Sequence, residues 1–213
     1  PYLNEATMAL GEGAATATAI DSAVVDWGMP MGPFTLMDML GIDVCGDVGG
    51  YLYSEYGDRM TPAPLFEKLL DAGRLGEKSG AGFYDHPGGE SEEVHEMIED
   101  LQTSGEVETG TSFSVERLMY PLINEAAQCV LENVATMTDI DMAMVAGTGM
   151  TYEDDRVGPL VIADRIGLDE IVAELRELED EFGPRFRAAR PLRLRVRADH
   201  LGVKSGKGFY EYT

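Results

Sequence analysis

Apolar positions recur at helical spacing through most of this chain. Leu3, Ala6, Met8, Ala9 and Leu10 predict a first helix with one broad apolar face. Thr18-Ala19-Ile20-Asp21 reads as a capping box that opens a second helix, ended by Gly28. Gly32-Pro33 starts a third, with Pro in the first turn where a missing N–H costs nothing, and Gly41 closes it. Asp43 is placed to cap a fourth helix running toward Tyr56, and a fifth covers Pro64 to Ala72. The same order then returns. Helices are expected near 115–132, 140–146, 159–165, 169–182 and 192–199, with Gly147 ending the second of them. No alternating βαβ pattern appears. The expectation is an all-α protein.

The return is literal. Pro1-Tyr2-Leu3-Asn4-Glu5-Ala6 recurs as Pro121-Leu122-Ile123-Asn124-Glu125-Ala126, and Ile20-Asp21 as Ile140-Asp141. Gly32-Pro33, Asp38, Gly41 and Asp43 recur as Gly158-Pro159, Asp164, Gly167 and Asp169. Lys78-Ser79-Gly80, Gly82, Phe83 and Tyr84 recur as Lys204-Ser205-Gly206, Gly208, Phe209 and Tyr210. One insertion near Thr151 to Arg156 accounts for the shift in spacing. The chain is therefore read as a duplicated helical module of roughly 90 residues per copy. The expected division is a first repeat over 1–86, an acidic linker over 87–111 and a second, degenerate repeat over 112–213. Within the linker, Val94, Met97, Ile98 and Leu101 fall on one face of a short helix; a solvated connector is the other reading, and both stand open.

Composition narrows the partners. The 213 residues carry a formal charge of −23 and a pI near 4.3, which argues against nucleic acid or an anionic membrane surface. No apolar run approaches a membrane span. Four of the 16 basic residues are Lys. Many acids with few Lys predict adaptation to strong salt, where self-repulsion is screened. Cys45 and Cys129 occupy non-equivalent positions in predicted helices, so a reduced, cytoplasmic setting is expected rather than a disulfide. No metal-ligand spacing links them to His86, His95 or His200, and each His is read as a surface residue. Pro at position 1 falls inside a motif that the second copy begins earlier, which reads as a piece of a longer protein.

Candidate chemistry is sparse. Gly11-Glu12-Gly13 holds two glycines of a dinucleotide fingerprint but ends a helix with no strand before it. No Walker loop and no nucleophile–base signature is present. Asp21 and Asp38 read as helix-terminus partners, and Asn4-Glu5 and Asn124-Glu125 as structural. Lys78 and Lys204 meet either an anionic ligand or a neighbouring acid; their recurrence favours the acid.

Asn4-Glu5-Ala6, Ile20-Asp21, Gly28-Met29-Pro30-Met31-Gly32-Pro33-Phe34, Asp38, Gly41, Asp43, Gly73-Arg74-Leu75-Gly76 and Lys78-Ser79-Gly80-Ala81-Gly82-Phe83-Tyr84 follow in one order. That order resembles the C-terminal domain of the 3-hydroxyacyl-CoA dehydrogenases of fatty-acid β-oxidation. The resemblance implies a helical domain of the 6-phosphogluconate dehydrogenase C-terminal-like type. It also implies a parent enzyme whose own N-terminal Rossmann domain binds NAD and supplies a catalytic His–Glu pair acting on acyl-CoA. The parent is expected to be a homo-oligomer. This chain itself is then expected to bind no NAD and no metal and to hold no catalytic residue. Met29, Pro30, Met31, Gly32 and Pro33 are the loop the resemblance places nearest the acyl-CoA, with Met side chains suited to acyl chains of varied shape. The family Asn of the first helix corresponds to Glu116 in copy two. Met150 with the acidic insertion stands where copy one has Met-Pro-Met, so copy two is expected to be structural. The rival readings are a helical scaffold that binds no CoA ester, or the helical domain of a dehydrogenase acting on other 3-hydroxy acids.

Overall fold

The computed structural model describes residues 1–110 and 112–212; Thr111 and Thr213, the last residues of the expected linker and second repeat, lie outside the described residues. Among the described residues the apolar spacing resolves into eleven α-helices: α1 (Tyr2–Gly11), α2 (Ala17–Trp27), α3 (Pro33–Leu40), α4 (Ile42–Tyr56), α5 (Leu65–Asp71), α6 (Glu92–Thr103), α7 (Glu116–Leu131), α8 (Met137–Thr148), α9 (Pro159–Ile166), α10 (Leu168–Phe182) and α11 (Arg190–Arg197). Isolated antiparallel bridges such as Gly76–Ala81 and Gly202–Lys207 close the Gly-rich turns, and no strand forms among the described residues. The fold is all-α.

The chain divides into two compact units, Pro1–Asp26 with Met31–Leu118, and Trp27–Pro30 with Met119–Thr213. In the first unit, Ile20, Phe34, Met37, Leu65, Leu69 and Phe83 are buried at the centre. Phe83 lies 4.7 Å from Phe34 and 6.2 Å from Phe66, ring centre to ring centre, tilted or edge-on as aromatic quadrupoles prefer. In the second unit Leu160, Ile162, Leu168, Ile171, Leu175, Phe186 and Leu192 form the core.

Of the two readings of the acidic stretch, the structure has the helix. Val94, Ile98 and Leu101 of α6 are buried and the helix packs on α1 and α5. Its Glu-rich opposite face stays in water, the usual arrangement of an amphipathic helix.

Two helix starts lie earlier than the capping-box pattern places them. Thr16, not Thr18, accepts from Ala19 N–H at the start of α2. Thr136, not Thr138, caps α8 by accepting from Asp139 N–H at 3.2 Å. Asp21 and Asp141 instead accept from the starts of α3 and α9, so neither serves its own helix. Gly147 lies inside α8; Gly149, with φ of 70°, ends it instead. Asp43 sits within the first turn of α4 rather than at its cap and pairs with Lys78.

The start of α7 is held by a buried charge cluster. Arg117 is 2% exposed and reaches Glu5 through Nε at 2.8 Å and Glu12 through both terminal nitrogens, at 2.7 and 2.8 Å. A guanidinium removed from water this completely is tolerable because its fork is matched by carboxylates. Replacing Arg117 with Leu leaves two carboxylates facing an apolar side chain and should cost about 3–5 kcal/mol in urea unfolding. An opposite effect is expected on α4. Gly50 lies mid-helix, and a Cβ placed there would meet nothing within 4 Å. Gly50→Ala should therefore stabilise by roughly 0.5–1 kcal/mol in the same assay.

Candidate functional site

Four buried aspartates organise the elements that carry the sequence motifs. In the first unit Asp21, on α2, accepts from the N–H groups of Phe34 (2.8 Å) and Thr35 (3.1 Å) and from the Thr35 hydroxyl (2.7 Å). The free amides at the start of α3 thus find their acceptor across space rather than in a local cap. The Tyr84 hydroxyl donates to the same carboxylate at 3.0 Å. Asp38, 1% exposed on α3, accepts from the N–H groups of Phe83 (2.8 Å) and Tyr84 (3.0 Å). Its Oδ2 also lies 2.8 Å from His86 Nε2. His86 is therefore a partner of a buried acid, not the surface residue its isolation in the sequence suggests.

Such close approach demands glycine at one position above all. A Cβ on Gly82 would lie 2.1 Å from Asp38 Oδ1. Arg74, also buried, donates through Nε to the Gly82 carbonyl at 2.8 Å and pairs with Asp85 and Glu93, so the turn is held from both sides.

The second unit rebuilds this arrangement. Asp141 accepts from Leu160 N–H (2.8 Å) and the Tyr210 hydroxyl (2.7 Å); Asp164 accepts from Phe209 N–H (2.8 Å) and Tyr210 N–H (2.9 Å). Tyr212 donates its hydroxyl to Asp164 at 3.0 Å, where the first unit uses His86. Since a phenol replaces the imidazole, the shared task is to satisfy the carboxylate, not to move protons. Burial pushes the Asp141 and Asp164 carboxyls above the usual carboxylate range, against the pull of their backbone and hydroxyl donors. Burial and the nearby aspartates likewise raise the Tyr84, Tyr210 and Tyr212 hydroxyls, keeping them neutral donors.

Asn4 and Asn124 also have matching tasks. Asn4 donates to Thr61 O at 2.8 Å and accepts from Ala63 N–H at 2.8 Å; Asn124 does the same with Arg187 O (3.1 Å) and Ala189 N–H (2.7 Å). Each clamps the turn before a helix. Lys78 meets Asp43, and Lys204 meets Asp169 (2.7 Å) and Glu170 (2.9 Å). Both lysines bridge to acids.

The loop 29–33 is uneven in access. Met29, Gly32 and Pro33 are buried, Met31 is half-buried and Pro30 is exposed. A Cβ on Gly32 would meet the Asp21 carboxyl at 2.2 Å, so the aspartate that caps α3 also fixes this loop. At the other end, the Gly28 carbonyl accepts from Thr151 N–H at 2.8 Å, and Trp27 packs on Tyr152 with ring centres 5.5 Å apart. A cleft of about 540 Å³ between the α1–α2 turn and α6, lined by Leu10, Thr16, Phe83, Glu90, His95 and Ile98 among others, includes none of these loop residues. Among the described residues no group of three His, Cys, Asp or Glu side chains is arranged to hold a metal ion.

The pattern of the 3-hydroxyacyl-CoA dehydrogenase C-terminal domain matches residues 1–86 and again residues 113–212. This chain belongs to that family. It is similar to the fatty acid oxidation complex subunit alpha of Idiomarina loihiensis, with 34% identity over 216 residues, covering 99% of this chain and 29% of that protein. The subunit of the same name from Vibrio cholerae is 32% identical over 188 residues, covering 87% of this chain and 26% of its own length. The chain thus spans between 26% and 29% of such relatives. In shape it resembles 3-hydroxybutyryl-CoA dehydrogenase from Escherichia coli, with a TM-score of 0.76, 24% identity, and coverage of 93% of this chain and 58% of that one. It also resembles the dehydrogenase part of multifunctional enzyme 1 from C. elegans, with a TM-score of 0.64, 22% identity, and coverage of 91% and 45%. These likenesses show the fold. Asp21, Asp38, Gly32, Gly82 and Tyr84, which build the carboxylate network of the first unit, all lie within the first matched segment.

Two outcomes test the network. Gly82→Ala should destabilise by about 1–3 kcal/mol or more, whereas Gly89→Ala, with open space at its Cβ, should be close to neutral in thermal unfolding. The second concerns pH. A carboxyl whose folded pKa is raised carries no burial penalty below its unfolded pKa near 3.8, and the full penalty once pH exceeds the folded value. Ionisation of Asp164 therefore lowers stability as pH rises through that window. Asp164→Asn should flatten this part of the stability–pH curve, which begins near the ordinary carboxylate pKa of 3.8 and runs upward from it; an unchanged slope would mean that Asp164 does not contribute to it.

Proposed function

We propose that this chain is the tandem C-terminal region of an NAD-dependent L-3-hydroxyacyl-CoA dehydrogenase, and that its parent oxidises L-3-hydroxyacyl-CoA to 3-ketoacyl-CoA. The observation that carries the reading is the double family match, at 1–86 and 113–212, over two segments that each hold an aspartate network of the same design. In this reading the NAD-binding domain is a separate part of the parent. Bound there, NAD⁺ would supply the acceptor for the hydride leaving C3 of the acyl chain, and the hydroxyl proton would go to a base outside this chain. The first repeat, 1–86, closes one side of the acyl-CoA cleft, and the second repeat, 112–213, is structural. Within the loop 29–33, Pro30 and Met31 present surface to the substrate, while Met29, Gly32 and Pro33 fix the loop from beneath.

The decisive assay follows NADH consumption with acetoacetyl-CoA. The full-length parent should turn over and this chain alone should not. Turnover by the chain alone, or a parent with no activity on any 3-ketoacyl-CoA, would overturn the reading. In the parent, Met31→Ala should raise KM for longer acyl chains about 3–10-fold, roughly the worth of one buried methylene at about 0.8 kcal/mol, with a smaller change in kcat.

The acidic, Lys-poor composition supports a second element of the proposal: a cytoplasm of high salt. With −23 formal charges on 213 residues, self-repulsion acts against the folded state until it is screened. Raising KCl from about 0.2 to about 2 M, which shortens the Debye length several-fold, should raise the unfolding midpoint. A midpoint that falls or stays flat would contradict this element.

A further inference from the structure

Hydrogen bonds run in series from the edge of the first unit to the loop 29–33. His86 is the outermost member. Its side chain is 28% exposed, and its Nε2 lies 2.8 Å from Asp38 Oδ2. The same oxygen accepts from Tyr84 N–H at 3.0 Å. The Tyr84 hydroxyl donates to Asp21 Oδ2 at 3.0 Å, and that oxygen also accepts from the Thr35 N–H and hydroxyl. Asp21 Oδ1 takes Phe34 N–H at 2.8 Å, and its carboxyl lies directly against Gly32. Met31 and Pro33 flank that glycine.

Tyr84 is the joint of this series. Its amide serves one acid and its hydroxyl the other, so a shift of the 83–86 turn passes from Asp38 to Asp21. Both acids are buried, and hydrogen bonds between groups removed from water are strong and couple to one another.

His86 is not needed to form the turn. The Phe83 and Tyr84 amides bond to Asp38 without it, and Arg74 holds the Gly82 carbonyl at 2.8 Å. The imidazole adds a third anchor on the Asp38 carboxylate, beyond the two amides. It fixes where the turn lies rather than whether it forms. The second unit supplies the control, because Tyr212 makes the equivalent bond to Asp164 with a phenol. A tyrosine at position 86 is therefore a replacement that keeps the bond.

We propose that His86 is a positioning residue for the acyl chain of the substrate, acting through Asp38, Tyr84 and Asp21 on Met31, and that this series of bonds tunes the acyl-chain length the parent prefers. The proposal rests on the reading that the loop 29–33 faces the acyl-CoA. A displaced apolar side chain costs most for the substrate with most methylenes to bury. The effect of loosening the series therefore grows with chain length, whereas a general loss of folding acts on all substrates alike.

The test measures KM and kcat of the full-length parent with acetoacetyl-CoA and with a long-chain 3-ketoacyl-CoA. His86→Ala should raise KM for the long substrate about 2–10-fold, the range that one hydrogen bond is worth. Its kcat and its KM for acetoacetyl-CoA should stay close to the parent's. His86→Tyr should restore the long-chain KM. Tyr84→Phe leaves the bonds to Asp38 in place and removes the one to Asp21. It should reproduce the His86→Ala effect, and the double variant should be no worse than either alone, as for two residues acting in one series. A KM raised equally for both substrates, or two effects that multiply, would overturn the proposal. So would an unchanged long-chain KM in Tyr84→Phe, which decides the matter even where His86→Ala does not fold. Met31→Ala separates the two layers of the argument. If it raises the long-chain KM and neither His86→Ala nor Tyr84→Phe does, the series fails and the loop reading stands. If it too leaves that KM unchanged, or the parent is inactive on every 3-ketoacyl-CoA, the reading beneath the proposal fails instead.

Discussion

A carboxylate that accepts backbone amides from a distant segment is the interaction on which each unit depends. Asp21 holds the start of α3 and Asp38 holds the Phe83–Tyr84 turn; Asp141 and Asp164 do the same work in the second unit. A buried acid is costly unless its lone pairs are filled, and here every one of the four accepts at least two donors. That demand reaches outward. It requires glycine at 32, 82, 158 and 208, where any side chain would strike the aspartate. It also selects a tyrosine at 84 and 210, whose amide and hydroxyl link the two acids of a unit through one residue.

Around this fixed frame the copies have exchanged parts. The third donor to the α3 or α9 aspartate is an imidazole in one unit and a phenol in the other. The carbonyl of the turn glycine receives Arg74 from just after α5 in the first unit. In the second it receives Arg195 from within α11, at 3.2 Å, with the guanidinium also 4.2 Å over the Phe209 ring. Position is kept less strictly than hydrogen-bonding role, as expected when the constraint is to satisfy an atom and not to perform chemistry with it.

Much of this is legible in the chain. Gly32-Pro33 and Gly158-Pro159 announce helix starts, the repeated Asp and Gly residues mark the frame, and the helical spacing of apolar residues carries the fold class. Local reading fails for residues with long-range partners. Thr18-x-x-Asp21 has the form of a capping box, but Asp21 bonds to residues more than ten positions away, and the helix starts at Thr16 instead. His86 looks isolated because its partner Asp38 is 48 residues distant. The acidic stretch leaves two readings because Val94, Ile98 and Leu101 become a core face only when α1 and α5 are there to receive them. Arg117 gives no signal at all: its partners Glu5 and Glu12 lie more than a hundred residues earlier.

That last pairing separates the units of ancestry from the units of folding. By family match, Arg117 falls in the second matched segment, 113–212, and Trp27–Pro30 in the first, 1–86. By packing, Arg117 closes a charge cluster in the first unit, and Trp27–Pro30 lie with the second, where Trp27 meets Tyr152. A chain cut between the two matched segments would leave one unit without its guanidinium and the other without its tryptophan. The lone Trp in the chain, although it falls in the first matched segment, is for the same reason an optical reporter on the second unit.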